Sequence, residues 1–205
     1  VRREHILGNH DVAFLTNEDN ETLLNATVRS RSFILDDWHF IFWSPDTRYS
    51  TQSGFPEDDK AVEWLEVALD QHSGPTILFC HVPQVTGNLD GNYWFENNPW
   101  AAVLPYNKRV LNILADHPGI QMTVGGHIHW PRLNTLNGIH HITLPSIIEG
   151  FFSAGTACAL WTEISISDNL TINITGSQNW EWKLPLREYG HKWPAPRKSS
   201  RQTAS

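Results

Sequence analysis

The stretch Ile120-Gln121-Met122-Thr123-Val124-Gly125-Gly126-His127-Ile128-His129 joins a short strand pattern to two metal-type ligands across a pair of glycines. Ile120–Val124 reads as a strand covered on both faces, and the glycines end it. The same arrangement occurs twice more: Thr76–Cys80 runs into His81-Val82-Pro83, and Val1–Leu7 reads as the end of a strand opening into Gly8-Asn9-His10-Asp11. In open α/β sheets ligands bind beyond the carboxyl ends of strands, so three such ends can converge on one crevice. A single histidine after a strand is ordinarily a packed or surface residue. A His-x-His pair such as His127 and His129 on an extended segment directs both rings to one side, which favours a metal. Three segments in this order carry more weight than any one of them.

Working outward, the flanking segments alternate helix with buried strand, the α/β pattern. Pro56 through Asp59 supplies a helix start, with negative charge at the positive end of the macrodipole. Ala61, Leu65, Ala68 and Leu69 then form an apolar face that Ser73-Gly74-Pro75 ends. A second amphipathic helix covers Asn107–His117 and stops at Pro118-Gly119. Phe33–Leu35 and Trp38–Trp43 predict a hairpin about Asp36 and Asp37, and the polar stretch 16–27 reads as loop. After Gly138 the character turns to strands, at Ile139–Leu144, Ala157–Ile166 and Leu170–Ile174.

At 205 residues, 40% of them hydrophobic, the chain is long enough for one domain with a sizeable core, and no apolar run approaches a membrane span. A formal net charge of −7 argues against a nucleic-acid polymer as partner, because neutralising its phosphates takes clustered Lys and Arg. An anionic small molecule would need local positive charge, and bound metal ions are one source of it. Cys80 and Cys158 sit in apolar runs and read as buried free thiols. The composition says nothing of localisation or oligomeric state.

GNHD, then an apolar strand ending in His, then GHIH, resembles the calcineurin-like metallophosphoesterases from about Ile6 to about Gly150. Asp37-Trp38-His39-Phe40-Ile41 looks like that family's strand after GNHD, and Glu63-Trp64-Leu65 like its helix before the histidine strand. The resemblance implies an αββα sandwich of mixed sheets flanked by helices. One such domain, incomplete at its N-terminal side, is expected over 1–192, and the polar, Pro-containing stretch 193–205 reads as a disordered tail. The resemblance also implies hydrolysis of small phosphoric mono- or diesters by two transition-metal ions, Mn, Fe or Zn, in a complete parent protein. Asn9, His81 and His127 would ligate the second metal and His129 the first. His10 would be the catalytic histidine and Asp11 would orient it. Amide oxygen and imidazole suit these metals, and His10 could protonate a leaving oxygen.

The departure matters equally. The family places a D-x-H strand end and a G-D-x-x-D segment ahead of GNHD, and only seven residues precede Gly8. With those carboxylates missing, at most one ion is expected in this chain. Asp37-Trp38-His39 has the D-x-H spelling, but it follows GNHD and His39 begins a strand. The alternatives are a non-catalytic or truncated scaffold, and a mononuclear zinc hydrolase built on His81, His127 and His129 with an open fourth position.

The long segment from Gln84 to Pro105 is where specificity would reside, with Trp94 and Trp100 as substrate-binding candidates. The remaining histidines read as structural. His140 and His141 should split between core edge and solvent, while His5, His72, His117 and His191 look like surface positions. Trp180, Trp182, Tyr189 and Trp193 read as packing a C-terminal segment onto the domain. Asn20, Asn25, Asn169 and Asn173 each begin an Asn-x-Thr tripeptide, a pattern that arises often by chance.

Overall fold

A computed structural model describes residues 2–148 and 157–188. Four parallel strands form its centre: β2 (Trp38–Phe42), β3 (Thr76–Phe79), β4 (Ile120–Gly125) and β6 (Ile139–Thr143). Antiparallel β1 (Arg31–Leu35) and β5 (Arg132–Leu136) close the two edges, giving the order β1-β2-β3-β4-β6-β5. The expected hairpin is β1–β2, turned by Asp36 and Asp37 at φ 48° and 65°. Two consecutive left-handed residues match the twist of the flanking strands.

Helices α2 (Asp59–Asp70) and α3 (Asn107–Asp116) lie where periodicity places them. Asp58 caps α2 by accepting the Ala61 N–H at 3.0 Å. Val62, Leu65, Leu69, Val110 and Leu114 pack with Ile41, Leu78 and Ile120 on one face of the sheet. The opposite face, through Ile77, Met122, Val124 and Ile142, is covered by a second antiparallel sheet of β7 (Trp161–Ile166), β8 (Asn169–Thr175) and β9 (Trp180–Pro185). Strict alternation along β8 buries Leu170, Ile172 and Ile174 in that interface. The result is the α/β sandwich that the sequence implies.

Several local expectations are corrected. Residues 2–8 form no strand; instead Arg31 reaches across, donating to the His5 carbonyl at 2.7 Å and to the Glu4 carboxylate, so side chains hold the segment. The polar stretch from Thr16 is a helix, α1 (Asn17–Leu24), because Thr16 and Asp19 form a reciprocal capping box. His140 and His141 are both buried, since β6 is covered on both faces. His72 and His117 are half-buried and face the backbone carbonyls of Asp37 and Leu69 through their Nε2 atoms, both at 2.9 Å.

Strands β5 and β9 were not anticipated, although Trp180, Trp182 and Leu184 alternate. Asn20 is buried, its amide donating to Asp11 and Thr16 carbonyls, which removes it as a glycan acceptor. Cys80 and Cys158 are buried free thiols, and burial pushes Cys80 up to about 12. Tyr189, His191, Trp193 and the expected tail lie outside the described residues. Among the described residues no helix is long and apolar enough to cross a membrane.

His39 and His141 are held neutral, both lowered to about 4, chiefly by burial and secondarily by neighbouring imidazoles. The unfolded chain protonates near 6.5, so below that pH it binds protons the folded chain does not, and stability is lost as pH falls from 6.5 toward 4. The urea midpoint should fall over that window, and His39→Asn, which cannot ionise, should flatten the slope. An identical slope in the variant would refute the assignment to His39.

Candidate metal centre

The carboxyl ends of β3 and β4 remain paired past the strands themselves. The Cys80 N–H donates to the Val124 carbonyl at 3.0 Å and the Gly126 N–H to the His81 carbonyl at 2.8 Å. Gly125 permits this, since a Cβ there would stand 2.8 Å from the Pro83 Cα. His81 and His127 are therefore delivered side by side, ring centroids 5.2 Å apart. The third segment folds over them as a turn, with the Asp11 N–H on the Gly8 carbonyl at 3.1 Å and the Gly8 N–H on Asp11 Oδ2 at 2.7 Å. A Cβ at Gly8 would meet the His81 ring at 2.6 Å, so only glycine lets the turn come this close.

The turn places Asn9 Oδ1 3.1 Å from His81 Nε2 and 3.1 Å from His127 Nδ1. The opposite nitrogen of the His127 ring, Nε2, faces the Ala101 carbonyl at 2.9 Å. A carbonyl only accepts, so Nε2 carries the proton and, in the neutral ring, Nδ1 is a lone pair. Burial makes the ring neutral: His127 is lowered to about 4 and His81 to about 3, with nearby imidazoles adding to the shift in both. His127 Nδ1 and Asn9 Oδ1 are thus two lone-pair atoms facing each other.

His10 and His129 are near enough to add to the depression of both His81 and His127 without joining their hydrogen-bonded set. His10 is exposed and His129 half-buried. The Asp11 carboxylate engages the Gly8 amide, which fixes the turn that carries His10. The expected extended His-x-His is not what forms: His127 and His129 are both left-handed, at φ 57° and 55°. Such conformations cost of order 1–3 kcal/mol each and persist only where surroundings enforce them. Here Ile128, fully buried among Leu89, Phe95, Ala101 and Ala102, anchors the turn, and Asn92 donates to its carbonyl at 3.1 Å.

The pocket that holds Ile128 is built by the long segment 84–105, which is packed onto the site. Its Phe95 and the distant Phe55 set ring edges against His127, at centroid distances of 5.0 and 5.4 Å. Trp94 and Trp100 both meet Tyr49, Trp100 stacked at 6.0 Å and Trp94 edge-on at 6.3 Å, and both are exposed. Phe95 lies in the segment read from the sequence as the specificity region, whereas Phe55, Ala101 and Tyr49 had no signal of their own, because their link to the site is through space. A cleft of about 580 Å³ opens nearby between Leu7, Val12, Phe14, Asp46 and Arg48, but no histidine lines it.

Among the described residues no three His, Cys, Asp or Glu side chains converge as a metal-binding group. The convergent set is two imidazoles and an amide oxygen. Its chemistry still fits a cation: ligands at right angles on bonds of about 2.1 Å stand roughly 3.0 Å apart, close to the spacings around Asn9 Oδ1.

No protein-family model matches the chain, and no curated protein matches it in sequence. A dimetal phosphatase from Danio rerio superposes with a TM-score of 0.65 at 15% identity, covering 89% of this chain and 72% of that one. GAP50, the anchor in the inner membrane complex of Plasmodium, superposes at 0.51 and 16% identity over 78% of this chain and 54% of its own. The chain therefore shares the α/β sandwich fold of these structures.

Long-range ¹⁵N–¹H NMR at pH 7 should show His127 neutral in its Nε2–H tautomer. A proton on Nδ1 would remove the facing lone pairs on which the cation fit depends.

Proposed function

We propose that this chain carries the histidine side of a phosphoesterase centre, which hydrolyses phosphoric mono- or diesters when a complete parent protein supplies the remaining carboxylates. The observation that carries this is the facing pair of lone-pair atoms, Asn9 Oδ1 and His127 Nδ1, with His81 Nε2 at the same distance from that oxygen. The fold shared with a dimetal phosphatase supports it. Asn9, His81 and His127 hold the second metal, of the Mn, Fe or Zn type, and His129 belongs to the first. A two-metal centre supplies Lewis acidity and a nucleophile at neutral pH.

The chain's own residues do the rest. His10, exposed at the rim, delivers a proton to the leaving oxygen, and Asp11 acts on it by fixing the turn through Gly8. Phe55 and Phe95 exclude water from one side of His127. Trp94 and Trp100, on the Tyr49 stack, give the substrate an apolar wall. The lack of a convergent three-residue group among the described residues favours a second reading, a non-catalytic scaffold that retains at most one ion.

Calorimetric titration with Mn²⁺ separates the two from a complete enzyme. The 205-residue chain should bind one ion weakly, Asn9→Ala and His81→Ala should each weaken it at least about tenfold, and a chromogenic phosphodiester should turn over little. Undiminished binding in both variants would place the ion elsewhere, and two tight ions with clear turnover would show that other ligands complete the site. In a form of the protein with turnover, His10→Ala should cost roughly 10²–10⁴ on a poor leaving group while metal content holds. Loss of metal instead would make His10 a ligand.

A further inference from the structure

Among the described residues, four buried side-chain atoms near GHIH have no hydrogen-bond partner: Trp130 Nε1, Arg132 Nε, Asn134 Nδ2 and Thr143 Oγ1. All four are N–H or O–H groups able to donate. We propose that they form an oxyanion subsite beside the histidine cluster, for a phosphate-type dianion.

Register brings them together. Arg132 on β5 stands directly opposite Thr143 on β6, and Asn134 lies two residues along on the same face. Thr143 is fully buried. The Arg132 guanidinium is held 4.2 Å over the Trp130 ring, which fixes the direction of its fork. Gly87 and Gly91 of the long loop lie against Asn134 and Trp130.

Charge gives the occupant its sign. Arg29, Arg31, Arg48 and Arg109 each pair with a carboxylate, whereas Arg132, half-buried, makes no ion pair among the described residues. A buried guanidinium Nε without a partner among the described residues, flanked by three more unpartnered donors, is an unfavourable arrangement that an anion corrects. A tetrahedral oxyanion has enough lone pairs to accept from all four groups.

Position ties the subsite to the histidines. Arg132 follows His129 by three residues, a span of at most about 11 Å. The Leu144 N–H donates to the Gly125 carbonyl at 2.7 Å, so the end of β6 that carries Thr143 runs beside the start of the GHIH turn. Building on the phosphoesterase reading, the substrate class is an ester with a second, non-scissile phosphate: one group at the histidines, the other on Arg132. The same chemistry would also receive free phosphate.

The probe is inorganic phosphate, titrated calorimetrically into the full chain after removal of metals with EDTA. Binding on the order of millimolar is expected, weakened at least about tenfold by Arg132→Gln and several-fold by Thr143→Val, and within about twofold of wild type in His81→Ala. If Arg132→Gln shifts the thermal melt, Arg132→Lys replaces it, keeping the charge while losing the fork. No phosphate binding by the wild type, or loss in His81→Ala with retention in the Arg132 and Thr143 variants, overturns the proposal. Because no metal is present, this outcome is independent of the Mn²⁺ titration. With Mn²⁺ added, propanediol bisphosphate binding at least about tenfold tighter than propyl phosphate, an advantage lost in Arg132→Gln, assigns the subsite to the substrate; equal binding assigns it to free phosphate.

Discussion

The pairing of β3 with β4, continued past both strands through the Val124 and His81 carbonyls, is the constraint on which the site depends. Parallel strands buried on both faces leave no solvent to satisfy their amides, so their ladder runs until a glycine or proline ends it. At Gly125 and Pro83 the two backbones are in close contact. The next residues therefore leave the sheet together, and His81 and His127 emerge with almost no freedom relative to each other. The Gly8 turn can then approach the His81 ring because no side chain of its own intervenes.

That rigidity supports two unfavourable features. Two imidazoles lie where charge is penalised, and two left-handed histidines flank Ile128. Neither stabilises the fold. Both are enforced by packing, through Ile128 in its apolar pocket and Phe55 and Phe95 against the His127 ring. Strain held in place by a well-packed surround marks functional sites, and neutral imidazoles retain the lone pairs that a cation requires. The segment 84–105 is thus structural support for the site before it is a specificity loop. Its asparagines and aromatics hold the GHIH turn in a shape that its own sequence disfavours.

The two faces of the central sheet divide the remaining work. Helices α2 and α3 bury one face and the β7–β9 sheet the other, so the carboxyl edge remains for ligands. At that edge the polar groups are graded from the neutral histidines to the donors around Arg132. In a chain of net charge −7, this is local organisation that composition does not reveal.

Much of this was legible in the sequence, for a physical reason. Periodicity is local: the apolar face of α2, the buried runs of β3 and β4 and the β1–β2 turn depend on neighbours a few residues apart, and each forms where its pattern lies. The pairing of His81 with His127 was also readable, because parallel strands must end on the same side of a sheet, whereas Asn9 arrives on the Gly8 turn and not on a strand. Tertiary structure alone decided the rest. Whether 2–8 pairs as a strand depends on partners rather than on its own pattern, and Arg31 takes the partner's place. The fates of His140 and His141 depend on the second sheet covering β6. The left-handed histidines, the approach of Phe55 and Tyr49 from far along the chain, and the register that sets Arg132 opposite Thr143 arise from packing between distant segments, which no local window of residues encodes.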